Sequence, residues 1–273
     1  MSAVTKSQMK SQEKREPTPK GEAGKSTVTP TTVNADEMAL FGGIAAEWWD
    51  PTGKFAPLHK LNPIRLRFIK RHMCQEFGRD EQAFDALKGL RIVDIGCGGG
   101  LITEPLTRLG ADVIGLDAEE NTVKVAAAHA ADSDLAIDYH CMTAEELAAS
   151  GKTFDVVIAL EVVEHVDGRQ TFFDALASLT KPGGMIFMST LNRTPKGFAL
   201  GIVAAEYILR WLPRGTHDWR KFMRPSEVVA ALRQRGFRLQ ELTGLVFDPI
   251  RRRFSENPQD VEVNYILTAT KDG

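Results

Sequence analysis

From residue 90 onward, short runs of apolar residues alternate with segments in which apolar residues recur at helical spacing. The runs predict seven strands at residues 90–95, 112–116, 136–141, 154–160, 185–189, 237–242 and 261–270. Helices are predicted at residues 102–109, 122–129, 169–180 and 227–235. This alternation indicates an α/β fold, a doubly wound and mostly parallel seven-stranded sheet with helices on both faces. Ligands of such folds bind at the carboxyl ends of the strands.

The chain upstream of the first strand divides into a polar tail and two predicted lid helices. Residues 1–33 contain no aromatic side chain, so we expect a disordered tail; a mitochondrial transit peptide is the alternative. The lid helices are expected within residues 34–78, the second beginning at Asn62 with Pro63 in its first turn. Residues 34–273 are therefore expected to form one domain.

Residues 94–100 read DIGCGGG and directly follow the first predicted strand. A strand, a glycine turn, a helix and a second strand ending in an acid can bind a nucleotide, with the acid on the ribose hydroxyls. Asp117 occupies that acidic position. Leu101 stands where the dinucleotide fingerprint has its third glycine, and Asp94 would repel a phosphate. This argues against an NAD-dependent oxidoreductase, the main alternative enzyme class.

An acid followed by glycines is better suited to a ligand with an adenosine, a cationic end and no phosphate, which is S-adenosylmethionine. Asp94, Gly96 and Gly98 are the candidate loop residues, and Asp117 is the candidate for the ribose. A tight turn that holds no ligand is the structural alternative.

Composition and charge narrow the class of protein further. The 273 residues carry a net charge of -2, which makes nucleic acid an unexpected partner. The three cysteines share no CxxC spacing, so neither a disulfide framework nor a thiolate metal site is expected. The sequence has neither an uncharged apolar run of membrane-spanning length nor a secretion signal, and we expect a cytosolic protein.

The segment EVVEH follows the fourth predicted strand and carries three candidate catalytic residues. Glu161, Glu164 and His165 would share one face if a helix began here. Two carboxylates and an imidazole could hold Mg²⁺ with open positions for substrate oxygens. Alternatively, this is a helix start in which His165 packs against the substrate or cofactor, and the residues alone leave both readings open.

Residues 197–212 are apolar almost throughout, with Glu206 and Arg210 as the charged exceptions. Sixteen helical residues span about 24 Å, less than the ~30 Å hydrocarbon core of a bilayer. A core helix or a dimer contact is one interpretation of this segment. The other is an interfacial helix on anionic lipid, which the flanking cations favour: Arg193, Lys196, Arg210 and Arg214.

Seven stretches in order along the chain resemble the ubiquinone-biosynthesis O-methyltransferase family, whose members are class I S-adenosylmethionine methyltransferases with a Rossmann-like sheet. They are FAPLHKLNPIRLRFI (55–69), VDIGCGGG (93–100), GLDAEE (115–120), LEVVEHV (160–166), STLNRTPKGF (189–198), AEYILRWLPRGTHDW (205–219) and VEVNYILTATK (261–271). The resemblance runs from about residue 34 to the end of the chain. A methyltransferase for another small phenol or lipid is the alternative within the same fold.

The resemblance implies roles for residues in these stretches. Its cofactor-binding positions correspond to Arg65, Gly96, Asp117 and Leu160, the last of which is methionine in some relatives. It also implies that Glu161, Glu164 and His165 bind Mg²⁺. The chemical alternative, if no metal takes part, is that His165 acts as a general base.

The resemblance further implies the substrate and the surroundings of the protein. The substrates are polyprenylated phenols and quinols, 2-polyprenyl-6-hydroxyphenol and 3-demethylubiquinol, methylated on ring hydroxyls. Because such molecules stay in a membrane, we expect reversible binding of residues 193–217 to an anionic membrane surface. Other ubiquinone-biosynthesis proteins are possible partners. The expected location is cytoplasmic and peripheral on the inner membrane, or the matrix face of the inner mitochondrial membrane.

Overall fold

The fold is built on one eight-stranded sheet, seen in a computed structural model that describes residues 45–200 and 219–273. The strands are β1 (Arg91–Ile95), β2 (Asp112–Asp117), β3 (Asp138–Cys141), β4 (Phe154–Leu160), β5 (Thr180–Leu191), β6 (Phe237–Asp248), β7 (Arg253–Asn257) and β8 (Asn264–Lys271). They lie in the order β3-β2-β1-β4-β5-β8-β6-β7. The first five pair in parallel, whereas β8 pairs antiparallel with β5 and β6, and β7 with β6. The mostly parallel α/β sheet is thus confirmed, with one strand more than predicted.

Helices flank the sheet on both faces. They are α1 (Ala56–Glu76), α2 (Thr103–Arg108), α3 (Glu120–Asp132), α4 (Ala144–Ala149), α5 (Arg169–Leu179), the helical turn α6 (Pro195–Gly197) and α7 (Pro225–Arg233), with 3-10 turns at Ala45–Glu47 and Trp219–Lys221. Most of the predicted elements agree with these to within a few residues.

Alternate residues of β4 belong to two separate apolar clusters. Val157 and Ala159 pack in a cluster that includes residues of α4, α5 and α7. Val156 and Ile158 pack in the other, which includes residues of α1 and α2. Because both faces of β4 are covered, the strand needs an almost continuous apolar run, and FDVVIAL supplies it.

Helix α1 begins six residues earlier than predicted. It starts at Ala56 with Pro57 in its first turn, and Pro63 lies inside the helix. Asn62 is buried and does not cap the helix; its Oδ1 accepts a hydrogen bond from Arg65 Nη1 at 3.4 Å. The Asn-Pro pair was a wrong start signal because the sequence offers two prolines and both fit helical φ.

Strand β5 begins five residues before the predicted 185–189 strand. Phe154 pairs with Thr180 and Val156 with Met185, so two residues of β4 are matched by five of β5. The predicted KPGG turn, residues 181–184, lies in this irregularity. Gly184 is required there, because a Cβ would lie 2.8 Å from the Asp155 carbonyl oxygen.

The sequence analysis missed helix α4, strand β7, the helical turn α6 and the 3-10 turn Trp219–Lys221. Helix α4 begins with a capping box in which Thr143 and Glu146 bond each other's backbone amides. The TAEE pattern is a signal that could have identified this helix. Strand β7 forms a hairpin with β6 and carries charged residues, so no apolar alternation marked it.

Some predictions fall on parts of the chain that the structure does not describe. The tail at residues 1–33, most of the first lid helix and residues 201–218 of the apolar segment lie outside the described residues. Among the helices of the described part, none has the length and apolar character needed to span a membrane.

Candidate functional site

The glycine loop follows β1 at the carboxyl edge of the sheet, as predicted. Gly96, Gly98 and Gly100 have positive φ angles of 69°, 53° and 88°. A Cβ on Gly96 would lie 2.5 Å from Val162 Cγ2, and one on Gly98 would lie 2.4 Å from the Trp48 ring. Glycine is therefore required at Gly96 and Gly98 both by backbone conformation and by the closeness of neighbouring side chains.

Asp117 ends β2 and lies beside this loop. Its carboxylate accepts hydrogen bonds from the amides of Gly98 and Glu119, each at 3.0 Å. Burial raises the pKa of Asp117, and these two amide bonds partly oppose that effect. The structure thus brings together the predicted ribose acid and the predicted loop.

Asp94 lies at the base of the loop, 3 % exposed, and its Oδ2 accepts a hydrogen bond from Thr103 Oγ1 at 2.6 Å. Burial raises the pKa of Asp94 to about 7, although the Thr103 bond acts in the opposite direction. Asp94 thereby ties the end of β1 to the start of α2. This fixes the entry into the loop.

Two tryptophans cover the loop, and sequence reasoning missed both as site residues. The Trp48 ring packs on Gly98 and Gly99 and stacks on Phe55 with ring centres 3.8 Å apart. Trp49 Nε1 donates a hydrogen bond to the Gly99 carbonyl at 2.8 Å. The adjacent aromatic pair just before the Asp-Pro break was an available signal, since an aromatic pair ending a lid needs a surface to cover.

An ion pair between Arg65 and Glu161 joins α1 to the carboxyl end of β4. Arg65 is 3 % exposed, and its Nη2 donates to Glu161 Oε1. The same oxygen accepts a hydrogen bond from Ser189 Oγ of β5 at 2.8 Å. Burial lowers the pKa of the Arg65 guanidinium, and the charges of Glu161 and Glu164 oppose this shift.

Glu161 has a φ of +56°, a left-handed conformation that is uncommon outside glycine. It directly follows Leu160, the last residue of β4, which pairs with Ser189. A strained residue at the end of a central strand is typical of a functional site, because the surrounding contacts must hold it in place.

Glu164 is 2 % exposed, and both of its carboxylate oxygens lack a hydrogen-bond partner among the described residues. Burial, and then the charge of Glu161, raise the pKa of Glu164 well above its ordinary value. An unpartnered buried carboxyl is costly, so its presence needs an explanation such as a ligand.

The predicted helical face of Glu161, Glu164 and His165 is wrong. Residues 161–168 form turns and bends with a bridge residue at Val166, and α5 begins only at Arg169. The His165 amide donates to the Val162 carbonyl at 2.9 Å, which closes one of these turns. Within residues 45–200 and 219–273, no three His, Cys, Asp or Glu side chains form a group that could hold a metal ion.

The structure therefore brings most of the predicted residues to one edge of the sheet. Gly96 meets Val162, so the loop touches the turns after β4. Asp117 lies on one side of the loop and the Arg65–Glu161 pair on the other side of β1. Such an edge can hold a small ligand across β1 and β4.

Comparison with known proteins gives close relatives over almost the whole chain. A protein of Dinoroseobacter shibae named ubiquinone biosynthesis O-methyltransferase is 50 % identical over 245 residues, which is 90 % of this chain and 99 % of the relative. Proteins of the same name from Brucella anthropi and Sinorhizobium fredii are 51 % and 48 % identical, each over 88 % of this chain and 97 % of the relative. Residues 93–188 match a family model described as a methyltransferase domain.

Solved structures show the same fold at low sequence identity. Magnesium protoporphyrin IX methyltransferase from Synechocystis, with bound S-adenosylhomocysteine, is 20 % identical with a TM-score of 0.55, covering 85 % of this chain and 100 % of that one. A methyltransferase from Thermotoga maritima, described as a possible histamine N-methyltransferase, is 16 % identical with a TM-score of 0.58, covering 86 % of this chain and 99 % of that one.

Gly98→Ala should disable the loop. The alanine would keep a left-handed backbone at a cost of about 1 kcal/mol and would also displace Trp48. We expect binding of S-adenosylhomocysteine, measured by calorimetry, to weaken at least about tenfold. Gly151→Ala is the matched control, because its φ is +71° and nothing lies within 4 Å of the added Cβ. Equal affinities in the two variants would contradict this role of the loop.

Asp94→Asn should change how stability depends on pH. Because the pKa of folded Asp94 is raised from 3.8 to about 7, its carboxyl stabilises the fold most below pH 3.8, and this contribution is lost as pH rises through 7. In thermal melts without cofactor, the Tm of the variant should rise relative to that of the parent as the pH is increased from 3.8 to 7.

Asp155→Asn is the control for this titration. Burial opposes the shift, but hydrogen bonds from Lys181 and the Arg91 amide lower the pKa of Asp155. Its contribution to stability is therefore present above pH 3.8, and the loss on substitution should stay constant from there to neutral pH. A flat difference for Asp94→Asn as well would contradict the burial effect.

Proposed function

The chain belongs to the ubiquinone biosynthesis O-methyltransferase family, and we propose that it transfers a methyl group from S-adenosylmethionine to ring hydroxyls of polyprenylated phenols and quinols. The acceptors we propose are 2-polyprenyl-6-hydroxyphenol and 3-demethylubiquinol. The observation that carries the proposal is the placement of Asp117 against the Gly98 amide, beside a loop that only glycine can form.

The residues at this edge are suited to S-adenosylmethionine, which supplies the methyl group as a sulfonium. Asp117 would bind the ribose hydroxyls, with Gly96, Gly98 and Leu160 lining the cofactor site. Arg65 would bind the carboxylate of the methionine part, and its buried Nε lacks a partner among the described residues. An unpartnered guanidinium donor beside the loop supports this assignment, since Arg can bind two carboxylates at once.

Trp48 adds a second unpartnered donor near the loop. Its buried Nε1 has no hydrogen-bond partner in the described part of the chain, although its ring packs on Gly98 and Gly99. Because Gly98 and Gly99 lie against one face of the ring and Phe55 against the other, a cofactor along the loop would meet this N–H edge of the ring. Trp48 therefore belongs with the proposed cofactor residues.

The acceptor hydroxyl must lose its proton for methyl transfer. A phenol resembles tyrosine, with a pKa near ~10, so its ionisation at neutral pH costs about 4 kcal/mol. We propose that the segment with Glu161, Glu164 and His165 promotes this loss of the proton. A general base such as His165 contributes roughly 10²–10⁴-fold to the rate, which is enough to offset most of it.

Magnesium binding by these three residues stays a prediction from the family resemblance. The burial of Glu164 close to Glu161 is compatible with a shared cation, but the raised pKa of Glu164 shows that a proton can serve the same purpose. As arranged, however, the three side chains do not fit an ion, because Glu161 Oε1 is held by Arg65 and Ser189 and no metal-binding group is formed among the described residues. We therefore assign deprotonation to His165 and leave magnesium to experiment.

We also propose peripheral association with an anionic membrane through residues 193–217, of which 201–217 lie outside the described part. Phe198, within this segment, and Trp219, just after it, are exposed and pack edge to face with ring centres 6.3 Å apart. Arg193 pairs with Glu227, and Lys196 pairs with Asp260 and Glu262. Two of the four flanking cations are thus engaged within the protein, which shifts the expected lipid contact toward the apolar side chains.

The proposed location follows from the substrate. A polyprenylated acceptor requires that the protein reach the inner membrane, either from the bacterial cytoplasm or from the mitochondrial matrix. Contacts with other ubiquinone-biosynthesis proteins would shorten the path of intermediates between enzymes.

Arg65→Gln should affect stability and cofactor binding in separable ways. Leaving Glu161 unpaired should cost about 3–5 kcal/mol in unfolding free energy, measured by chemical denaturation. The double variant Arg65→Gln/Glu161→Gln removes both charges and should recover much of that stability. Affinity for S-adenosylhomocysteine should stay low in both. Recovery of that affinity in the double variant would show that Arg65 does not bind the cofactor.

The function itself is tested by methyl transfer from labelled S-adenosylmethionine to a short-chain demethylubiquinol. We expect methylated product, and His165→Gln should lower its rate by about 10²-fold or more. The assay is run with Mg²⁺ and with EDTA. Product only with the metal would support a magnesium site at Glu161, Glu164 and His165. Product in both conditions would support His165 as the base, and no product despite intact cofactor binding would contradict the proposed acceptor.

A further inference from the structure

The hairpin formed by β6 and β7 projects from the same sheet edge that carries the site. Strand β6 is antiparallel to β8, which is antiparallel to β5, so β6 runs in the direction of the parallel strands. Its carboxyl end therefore points the same way as those of β1 and β4. Strand β5 ends at Leu191, opposite Asn264, the first residue of β8.

This hairpin reaches beyond the rest of the sheet. Gly244 is the last residue of β6 that pairs with β8, and the four residues 245–248 pair with β7 alone. At about 3.3 Å per residue they carry the tip roughly 13 Å past Gly244. The tip is thus placed to contact a surface that faces the site.

The tip, residues 249–253, presents one large apolar side chain among three arginines. Ile250 is 92 % exposed, and Arg251, Arg252 and Arg253 are also exposed. The Asp248 side chain accepts hydrogen bonds from the amides of Ile250 and Arg251 at 2.9 and 3.0 Å. These two hydrogen bonds define a turn that holds Ile250 in its exposed position.

The charge of the tip is largely uncompensated. Arg251 lies 3.8 Å from Asp248, whereas the structure shows no ion pair for Arg252 or Arg253 within the described residues. The nearby Glu256 is engaged by Arg71 at 2.9 Å. In a chain with a net charge of -2, this is a local concentration of positive charge.

We propose that residues 249–253 form a docking tip for an anionic bilayer, with Ile250 entering the interface and the arginines binding lipid headgroups. An apolar side chain ringed by cations matches the chemistry of an anionic membrane surface. The proposal rests on the proposed function, since a lipid acceptor gives the sheet edge a reason to face a membrane. It names a contact separate from residues 193–217.

The test is flotation of the full chain with vesicles of phosphatidylcholine, with and without phosphatidylglycerol. The variant Ile250→Ser/Arg252→Gln/Arg253→Gln should bind anionic vesicles at least about tenfold more weakly, since each arginine near such a surface contributes roughly fivefold. Binding of the parent protein should fall with added salt. Equal binding to neutral vesicles would overturn the choice of an anionic surface.

A matched control changes the opposite edge. Phe84 is 97 % exposed, and its neighbour Asp85 lies against Gly110, just before the start of β2. Arg79 and Arg238 are also exposed. The variant Phe84→Ser/Arg79→Gln/Arg238→Gln removes the same kinds of groups and should float like the parent. A tip variant that floats like this control would overturn the proposal.

Two further readouts separate this proposal from others. Arg252→Gln/Arg253→Gln alone changes only exposed polar positions, and it should already weaken flotation if the triple variant fails to fold. Methyl transfer to a short-chain soluble acceptor should be unchanged in the tip variants. Vesicle binding through the tip without any methyl transfer by the parent would support the docking tip and count against the proposed function.

Discussion

The buried ion pair between Arg65 and Glu161 is the interaction on which the rest of the site depends. A guanidinium at 3 % exposure is stable only if paired, and Glu161 supplies the charge. The pair joins α1, which comes early in the chain, to the end of the central strand β4. Because Ser189 of β5 holds the same carboxylate oxygen, the left-handed backbone of Glu161 is fixed from two sides. The ion pair therefore fixes the carboxyl end of β4 against α1.

The glycine loop depends on a second constraint, which is space. Trp48 and Val162 stand where the side chains of Gly98 and Gly96 would be. The loop is consequently held between the segment before α1 and the turns after β4. A change in α1 that moved Arg65 would also move the loop's cover, because Trp48 stacks on Phe55, the residue just before that helix. The two constraints thus act on the same segment of chain.

The sequence predicted the parts of this arrangement that depend on local pattern. A few adjacent residues determine each of three features: the apolar run of β4, the acid-glycine loop and the acid at the end of β2. Asp117 could be placed near the loop because parallel strands end at one edge.

Contacts between distant segments could not be predicted in the same way. Nothing local shows that Arg65 meets Glu161, 96 residues later, or that Trp48 covers the loop. The helical face considered for Glu161, Glu164 and His165 is absent for a related reason. The spacing of Glu161, Glu164 and His165 fits a helix, but the left-handed φ of Glu161, supported by the two bonds to its carboxylate, directs the chain into turns. Tertiary contacts override local propensity at such a position.

Some of the buried polar atoms that lack a partner in the described part of the chain lie at this edge, whereas others, such as those of Thr243 and Thr268, lie within the sheet. Arg65 Nε, Trp48 Nε1 and both carboxylate oxygens of Glu164 are buried without partners among the described residues, and all belong to segments that meet at the carboxyl edge. Native proteins bury few such groups, because each costs free energy that packing does not return. The donors of Arg65 and Trp48 would suit a carboxylate of the cofactor. The carboxyl oxygens of Glu164 would suit a substrate hydroxyl that donates a hydrogen bond. Under the proposed function, the cofactor would lie along β1 and the substrate over the turns after β4.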